Sequence, residues 1–386
     1  MTDRTDSKPS PEVIRDGAAL ERLAARLRDQ SRIALDTEAA SFHRYVDRVY
    51  LIQASSASET ALVDPLAVDD LRAIGDLLSD PEIEKIFHDA DYDLRILDRD
   101  YGFTARRLWD TRIAAQLAGE TAFGLGALLA KYFDLRLSKK LQRADWSQRP
   151  LTPEMIAYAA NDTAHLPELR DVLADALRKL GRLAWAEEEF ERLEGVHWSP
   201  GAAGEDAYLK LKGAKALAPR SLAVLRALFA WRDRLAAELD RAPFRIMGND
   251  ALMAIAKAVP TSPTELAEVR DLPSALARRH GPQVLAAVGE ALALPRSEWP
   301  VIERTRRPKP DPEADARYQR LRTLRAERAQ AVRLDPGLVC PNGTLHAIAR
   351  TAPRAAAELD QIGELRRWQR EAMDEGKLLA AVRGDG

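Results

Sequence analysis

Apolar residues gather first in short β-branched runs. "RIALDTEAA" and "RVYLIQASSASETALVD" read as three strands, with a turn around Ser55 to Glu59. The pattern then changes period. "DPLAVDDLRAIGDLLSD" places Leu71, Ile74, Leu77 and Leu78 at helical spacing. "EKIFHDA" is a short strand ending in polar residues, and "DYDLRILDRDYG" is a helix that should stop at Gly102. From Asp110 onward the pattern is mainly helical. Strands mixed with helices in this order predict an α/β domain with a mixed sheet.

Small residues and glycine crowd "EGVHWSPGAAGEDAY", and prolines crowd the second half of "PRSEWPVIERTRRPKPDPEAD". These breaks divide the chain into a loose tail over 1–10, the α/β domain over 11–195 and a linker over 196–212. A helical unit over 213–295, a Pro/Arg-rich linker over 296–312 and a second helical unit over 313–386 follow. The two units repeat each other. "LMAIAKAVP" (Leu252 to Pro260) matches "LHAIARTAP" (Leu345 to Pro353), and at the same offset Arg232 meets Arg325, Pro243 meets Pro336 and Asn249 meets Asn342. Such agreement without gaps marks a duplicated small helical domain, the second copy more degenerate. Each Asn stands where a helix N-cap belongs.

The chain has 386 residues, enough for two or three domains, and 31% of them are charged. Net charge is −2, so polyanion binding must come from local patches or metal ions. The single cysteine, Cys340, excludes an internal disulfide framework and a cysteine-rich zinc site and fits the cytoplasm. Nothing reads as a signal peptide or a membrane helix. No "GxxxxGK[ST]" phosphate loop occurs, so the chain is not itself a helicase.

Candidate chemistry lies in carboxylates. Asp36 and Glu38 end the first strand and, two apart, share one of its faces. Asp93 follows a later strand, in the first turn of a helix. Tyr158 and Asp162, four apart, share a helix face. Any one of these is weak alone: an Asp after a strand is usually a cap, and D-x-E is common. Together, four carboxylates and a tyrosine suggest a site for two Mg²⁺ or Mn²⁺ ions, which prefer oxygen ligands and can hold the attacking and leaving oxygens of a phosphodiester. Without a cation such a cluster would take up protons.

The ordered set resembles the DEDD superfamily of 3′→5′ exonucleases, in the branch whose third motif carries Tyr; Ala157 stands where a His would be. The closer resemblance is to the ribonuclease D family. It runs through "LDTEAASFHRYVDRVYLIQ", "IFHDADYDLRIL", "LWDTRIAAQLAG" and "LQRADWSQRPLTPEMIAYAANDTAHL", and the duplicated unit resembles tandem HRDC domains. The resemblance implies an α/β ribonuclease H-like exonuclease domain with a mixed sheet, followed by two small all-α HRDC-like domains. It implies that Asp36, Glu38, Asp93 and Asp162 are metal ligands and that Tyr158 positions or helps deprotonate the attacking water, positioning being the easier role for a phenol. It implies a monomeric, cytoplasmic enzyme trimming RNA with a single-stranded 3′ end, tRNA precursors above all. A DNA 3′→5′ exonuclease with the same chemistry and a non-catalytic scaffold remain the alternatives.

Phe42 is a candidate wedge for the terminal base, Gln53 for bonding a ribose or base, and His88 for substrate contact. Packing or capping is the competing role of each. Asp110, Asp145 and Trp146 read as supports of the third-motif helix, and "EEEFE" (Glu187 to Glu191) as a solvated helix face. Lys210, Lys212 and Lys215, then Arg304, Arg306, Arg307 and Lys309, then Arg317, Arg320, Arg322, Arg325 and Arg328 form basic stretches suited to phosphate tracking.

Overall fold

The computed structural model describes residues 11–199, 206–302 and 311–385. The tail over 1–10 and the linker residues Arg304, Arg306, Arg307 and Lys309 lie outside them. One six-stranded mixed sheet organises the first domain: β1 (Glu12–Ile14), β2 (Arg32–Ala39), β3 (Val49–Ser55), β4 (Thr60–Val63), β5 (Glu84–Phe87) and β6 (Leu108–Asp110). The spatial order is β1-β4-β3-β2-β5-β6. β2, β3 and β4 form an antiparallel meander, while β1, β5 and β6 pair in parallel. β1 and β6 escaped the sequence reading because three residues are too few to show a period.

Alternation along β2 sends Ile33 and Leu35 to one face, into a core with α1 (Gly17–Arg28), α2 (Arg72–Ser79) and α3 (Asp91–Tyr101). α3 ends at Gly102 as expected: its φ of 68° suits glycine, and its N–H donates to Asp98 O at 2.7 Å. The opposite face of the sheet, which carries Asp36 and Glu38, meets α4 (Thr111–Leu117), α5 (Leu125–Phe133), α6 (Pro153–Ala164), α7 (Leu166–Lys179) and α8 (Leu183–Leu193).

The first helical unit contains α9 (Pro219–Glu238), α10 (Pro243–Ile246), α11 (Asn249–Ala258), α12 (Pro263–Ala267) and α13 (Ser274–Ala293). Tyr208, in the segment read as linker, is buried in its core. The second unit contains α14 (Pro312–Val332), α15 (Pro336–Val339), α16 (Asn342–Thr351), α17 (Ala356–Leu359), α18 (Arg367–Met373) and α19 (Glu375–Arg383). The repeat extends to individual bonds. Arg232 Nη1 donates to Met247 O and Asn249 Oδ1, and Arg325 Nη1 donates to Cys340 O and Asn342 Oδ1, at 2.8–2.9 Å. The two asparagines are therefore not caps: each is the first residue of its helix and accepts from an arginine. α11 and α16 both end at a left-handed residue, Val259 at φ 50° and Ala352 at φ 49°. The copies diverge where α13 runs on through Pro282, whereas Asp374 at φ 62° separates α18 from α19.

Most of the arginines on α14 serve the fold. Arg317 donates to Ala349 O, Arg320 to Ala381 O and Val382 O, Arg325 to Cys340 O, and Arg328 to Ala372 O. Each acceptor lies in the last turn of a helix or just past its end, where carbonyls lack intrahelical partners and the helix dipole favours a cation. Of the five arginines expected to track phosphates, only Arg322 is exposed.

"EEEFE" is only in part a solvated face: Glu187 and Glu191 are exposed, but the two glutamates between them are engaged. Glu188 accepts from the N–H groups of Arg367 and Trp368 at 2.8 and 2.9 Å, neutralising the start of α18, and Glu189 accepts from Trp368 Nε1. Trp185 stacks on Trp368 with centroids 5.5 Å apart. The second unit thus shares one continuous core with α4, α7 and α8. Among the described residues, no helix is long and apolar enough to cross a membrane. Because Trp368 is fully buried at this junction, Trp368→Ala should cost about 3–5 kcal/mol. Chemical denaturation would register this as a clear drop in midpoint; an unchanged midpoint would mean that the junction does not contribute to stability.

Candidate active site

β2 pairs with β5 only from Arg32 to Ala34, so beyond that point its outer edge has no strand beside it. Asp93, on the first turn of α3, occupies this edge. Its Oδ1 accepts from the Thr37 N–H at 3.1 Å and from the Thr37 hydroxyl. The interval between strand and helix is held by Asp110, which accepts from Ala90 N–H at 2.7 Å while capping α4 through Arg112 and Ile113. Asp110 therefore supports the Asp93 helix, not the third-motif helix expected from the sequence.

α6 brings the other two residues. Thr152 caps it, accepting from Met155 N–H at 3.2 Å, and Pro153 opens it. A buried hydroxyl chain fixes it to the sheet: Ser55 Oγ lies 2.7 Å from Thr163 Oγ1 and 2.8 Å from Thr60 Oγ1. Trp146, fully buried, lies 5.9 Å from the Tyr158 ring. The stretch before α6 is tied down by Arg149, which donates to both oxygens of Asp64 at 2.6 and 2.7 Å and to Tyr50 O. As a result Asp36, Glu38 and Asp162 each offer an oxygen within 4.8 Å of the others. Asp93 stands beside this trio, with its Oδ1 engaged by Thr37.

The electrostatics follow from crowding without compensation. None of the four carboxylates has an ion-pair partner among the described residues. Burial, then Asp93, Asp162 and Glu38, hold the Asp36 carboxyl well above its ordinary range. Burial, then Asp162 and Asp93, push Glu38 up to about 9. Asp93 and Asp162 rise to about 7, chiefly through burial; the Thr37 bonds pull Asp93 back down. Burial and the same three acids raise the Tyr158 phenol further above its normal value. The donor set fits hard divalent cations: only oxygens, several charges, one strand and two helices converging.

Gln53 is the residue whose placement differs most from expectation. It pairs directly with Asp36 across the β2–β3 ladder, so it shares the carboxylate face, but it is 0% exposed. Both its amide atoms are buried without a partner. A ribose or base cannot reach it. His88 is half-buried. Its Nδ1 lies 2.9 Å from Thr111 Oγ1, which donates to Phe87 O, so Nδ1 carries the proton and Nε2 remains an acceptor. Burial and Arg112 lower His88 to about 4, keeping it neutral. Phe42 is exposed three residues beyond β2. Lys210, Lys212 and Lys215 are exposed and form no ion pair with a described residue. Thr37 and the Ser55–Thr163 pair escaped the sequence reading, although Thr37 sits inside the D-T-E motif itself.

Comparison with known proteins decides the family. Residues 11–178 match the model of a 3′-5′ exonuclease domain, and residues 221–288 and 314–382 each match that of the HRDC domain. Ribonuclease D of Pseudomonas paraeruginosa is 32% identical over 375 residues, covering 96% of this chain and 98% of that protein. The chain belongs to the ribonuclease D family. Ribonuclease D of Granulibacter bethesdensis is 31% identical, with 96% of this chain and 92% of that protein covered. The crystal structure of Escherichia coli RNase D, described as an exoribonuclease involved in structured RNA processing, superposes with a TM-score of 0.71 at 27% identity, covering 97% of this chain and 99% of that one. A protein from Bifidobacterium adolescentis superposes at 0.82 with 27% identity, covering 98% of each chain. This ribonuclease D relative is thus a 3′→5′ exoribonuclease by family, with a mixed-sheet nuclease domain and two HRDC domains.

The carboxylate cluster sets a pH dependence in metal-free protein. Folded-state values raised above the unfolded ones mean that the native state binds more protons, so stability falls as pH rises. In EDTA the unfolding midpoint should drop from the ordinary carboxylate range up through about 9, the Glu38 value. Mg²⁺ added at high pH should restore it. Glu38→Gln should make the slope shallower; identical slopes in both proteins would show that the cluster is not repulsive.

Proposed function

We propose that the chain is a divalent-metal-dependent 3′→5′ exoribonuclease that trims the 3′ ends of structured RNA, tRNA precursors among them, and releases 5′-nucleotides. The observation that carries this reading is the convergence of Asp36, Glu38 and Asp162 within 4.8 Å, beside Asp93. Asp36, Glu38, Asp93 and Asp162 hold two Mg²⁺ or Mn²⁺ ions. Bound there, the ions supply Lewis-acid stabilisation of the attacking and leaving oxygens.

The protein's own contribution is position. β2 and α6 hold the carboxylates rigidly, so little reorganisation is needed when charge develops on the phosphate. Tyr158 keeps its proton at neutral pH because burial and three acids disfavour its anion. A phenol is in any case a poor base at neutral pH, and its O–H orients the attacking water by hydrogen bonding. His88, through Nε2, contacts the 3′-terminal nucleotide, and Phe42 contacts the base next to it. Lys210, Lys212 and Lys215 carry the RNA backbone beyond the cleft, a contact without sequence code. A cytoplasmic monomer fits the single cysteine, Cys340, which is buried.

A 5′-labelled RNA with a duplex stem and a single-stranded 3′ tail tests the proposal, beside DNA of the same sequence. The expected result is a ladder shortening from the 3′ end, selective for RNA, dependent on Mg²⁺ or Mn²⁺ and abolished by EDTA. Asp36→Asn should abolish cleavage without unfolding, and Tyr158→Phe should slow it by about 10²-fold or more. An active Asp36→Asn enzyme would sink the metal assignment, and a DNA-selective ladder would replace the substrate.

A further inference from the structure

Residues 40–48 leave β2 beside Glu38 and run directly onto the first HRDC unit. The contact is polar and well satisfied beneath. Ala242 N–H donates to His43 O at 3.3 Å, and Arg245 Nε donates to Phe42 O. Tyr45 donates its hydroxyl to Asp233 at 2.8 Å and its N–H to Asp240, which also pairs with Arg44 at 3.1 Å. His43 Nε2 lies 2.9 Å from Arg143 O, joining the loop before α6 to the same junction.

Above this frame two aromatic rings face solvent. Phe42 is 42% exposed and Phe244, on α10 of the HRDC unit, is 49% exposed. Their centroids lie 5.9 Å apart at 76°, and the Arg143 guanidinium stands 5.0 Å over the Phe42 ring. Rings that served only to join the domains would be buried in the junction. Neighbouring exposed rings with a guanidinium are instead what single-stranded nucleobases stack on. Phe244 also borders a cleft of about 220 Å³ lined by Arg241, Arg245 and Arg279. Arg241 and Arg279 are exposed and form no ion pair with a described residue.

We propose that Phe42, Phe244 and Arg143 form a composite nucleobase-stacking site that grips single-stranded RNA just upstream of its 3′ end, with Arg241 and Arg279 meeting its phosphates. The proposal rests on the exoribonuclease reading for its ligand. Phe42 is four residues from Glu38, so their Cα atoms are at most ~14 Å apart, and the gripped base lies near the terminal nucleotide. The first HRDC unit then contributes a side chain to the substrate cleft itself.

Binding by the full chain in EDTA isolates this site from cleavage. The probe is a stem-tailed RNA carrying 2-aminopurine at successive tail positions. One position near the 3′ end should be quenched on binding. Phe244→Ala should remove that quench and weaken binding about 5- to 150-fold, the range expected for one lost stack. Phe244→Tyr should restore both, whereas Phe244→Leu, which keeps the apolar contact with Phe42, should not. Equal behaviour of the Leu and Tyr variants, or a quench that survives in Phe244→Ala, would overturn the proposal. So would quenching with a DNA tail and none with RNA. Inactivity toward RNA alongside an intact, Phe244-dependent quench would refute the exonuclease reading and leave the stacking site standing.

Discussion

Four carboxylates crowded onto one sheet face repel one another, and the rest of the domain is arranged to hold them there. No local preference would gather Asp36, Glu38, Asp93 and Asp162; burial and mutual charge both oppose it. The opposing forces are packing and buried hydrogen bonds at the edges of the cluster. Thr37 restrains Asp93, the Thr163–Ser55–Thr60 hydroxyls pin α6 to β3 and β4, and Arg149 locks the approach to α6 onto Asp64. Such stored repulsion is what gives a site affinity for cations, because binding relieves it. In this ribonuclease D relative the carboxylate cluster and the rigidity around it are one design.

The two HRDC units derive from one duplicated sequence but attach in different ways. The second is fused into the nuclease core through stacked tryptophans and through Glu188 at the start of α18. Its α14 arginines close the ends of its own helices. The first keeps a separate core, entered from the nuclease side by Tyr45, and meets the nuclease domain through ion pairs and exposed rings. A fused apolar junction suits a structural brace. A polar junction beside the cleft suits contact with a charged polymer.

Much of the fold was legible because it depends on local period and punctuation: the β2–β4 meander, the end of α3 at Gly102, the repeat itself. The carboxylate positions were legible through their order along the chain. What stayed hidden depends on tertiary partners. "EEEFE" looks solvated until α18 presents its free N–H groups to it. The α14 arginines look like a phosphate track until four helix ends arrive beneath them. Gln53 looks like a substrate contact because it is polar and ends the first motif, yet only the β2–β3 register reveals that it is buried opposite Asp36. Charge alone does not distinguish a binding residue from a cap; the identity of the acceptor does.

The junction of β2 with residues 40–48 ties these strands of the design together. The β2–β3 register shifts between Glu38 and Ala39, with Tyr50 of β3 as the extra residue, and one further pair, Ala39 with Val49, closes the ladder before the chain turns away. One side of the bulge carries the carboxylates Asp36 and Glu38, fixed by the sheet; the other carries Phe42 and Tyr45, held against the HRDC unit. The disruption lets each side follow its own support, so the HRDC contact can be made by a chain segment adjacent to Glu38 without dragging that carboxylate out of place. A regular strand continuing through Phe42 would have coupled the two rigidly and forced the ring to follow the pleat. The bulge therefore allows the carboxylates and the exposed Phe42 ring to sit a few residues apart while being organised by different domains.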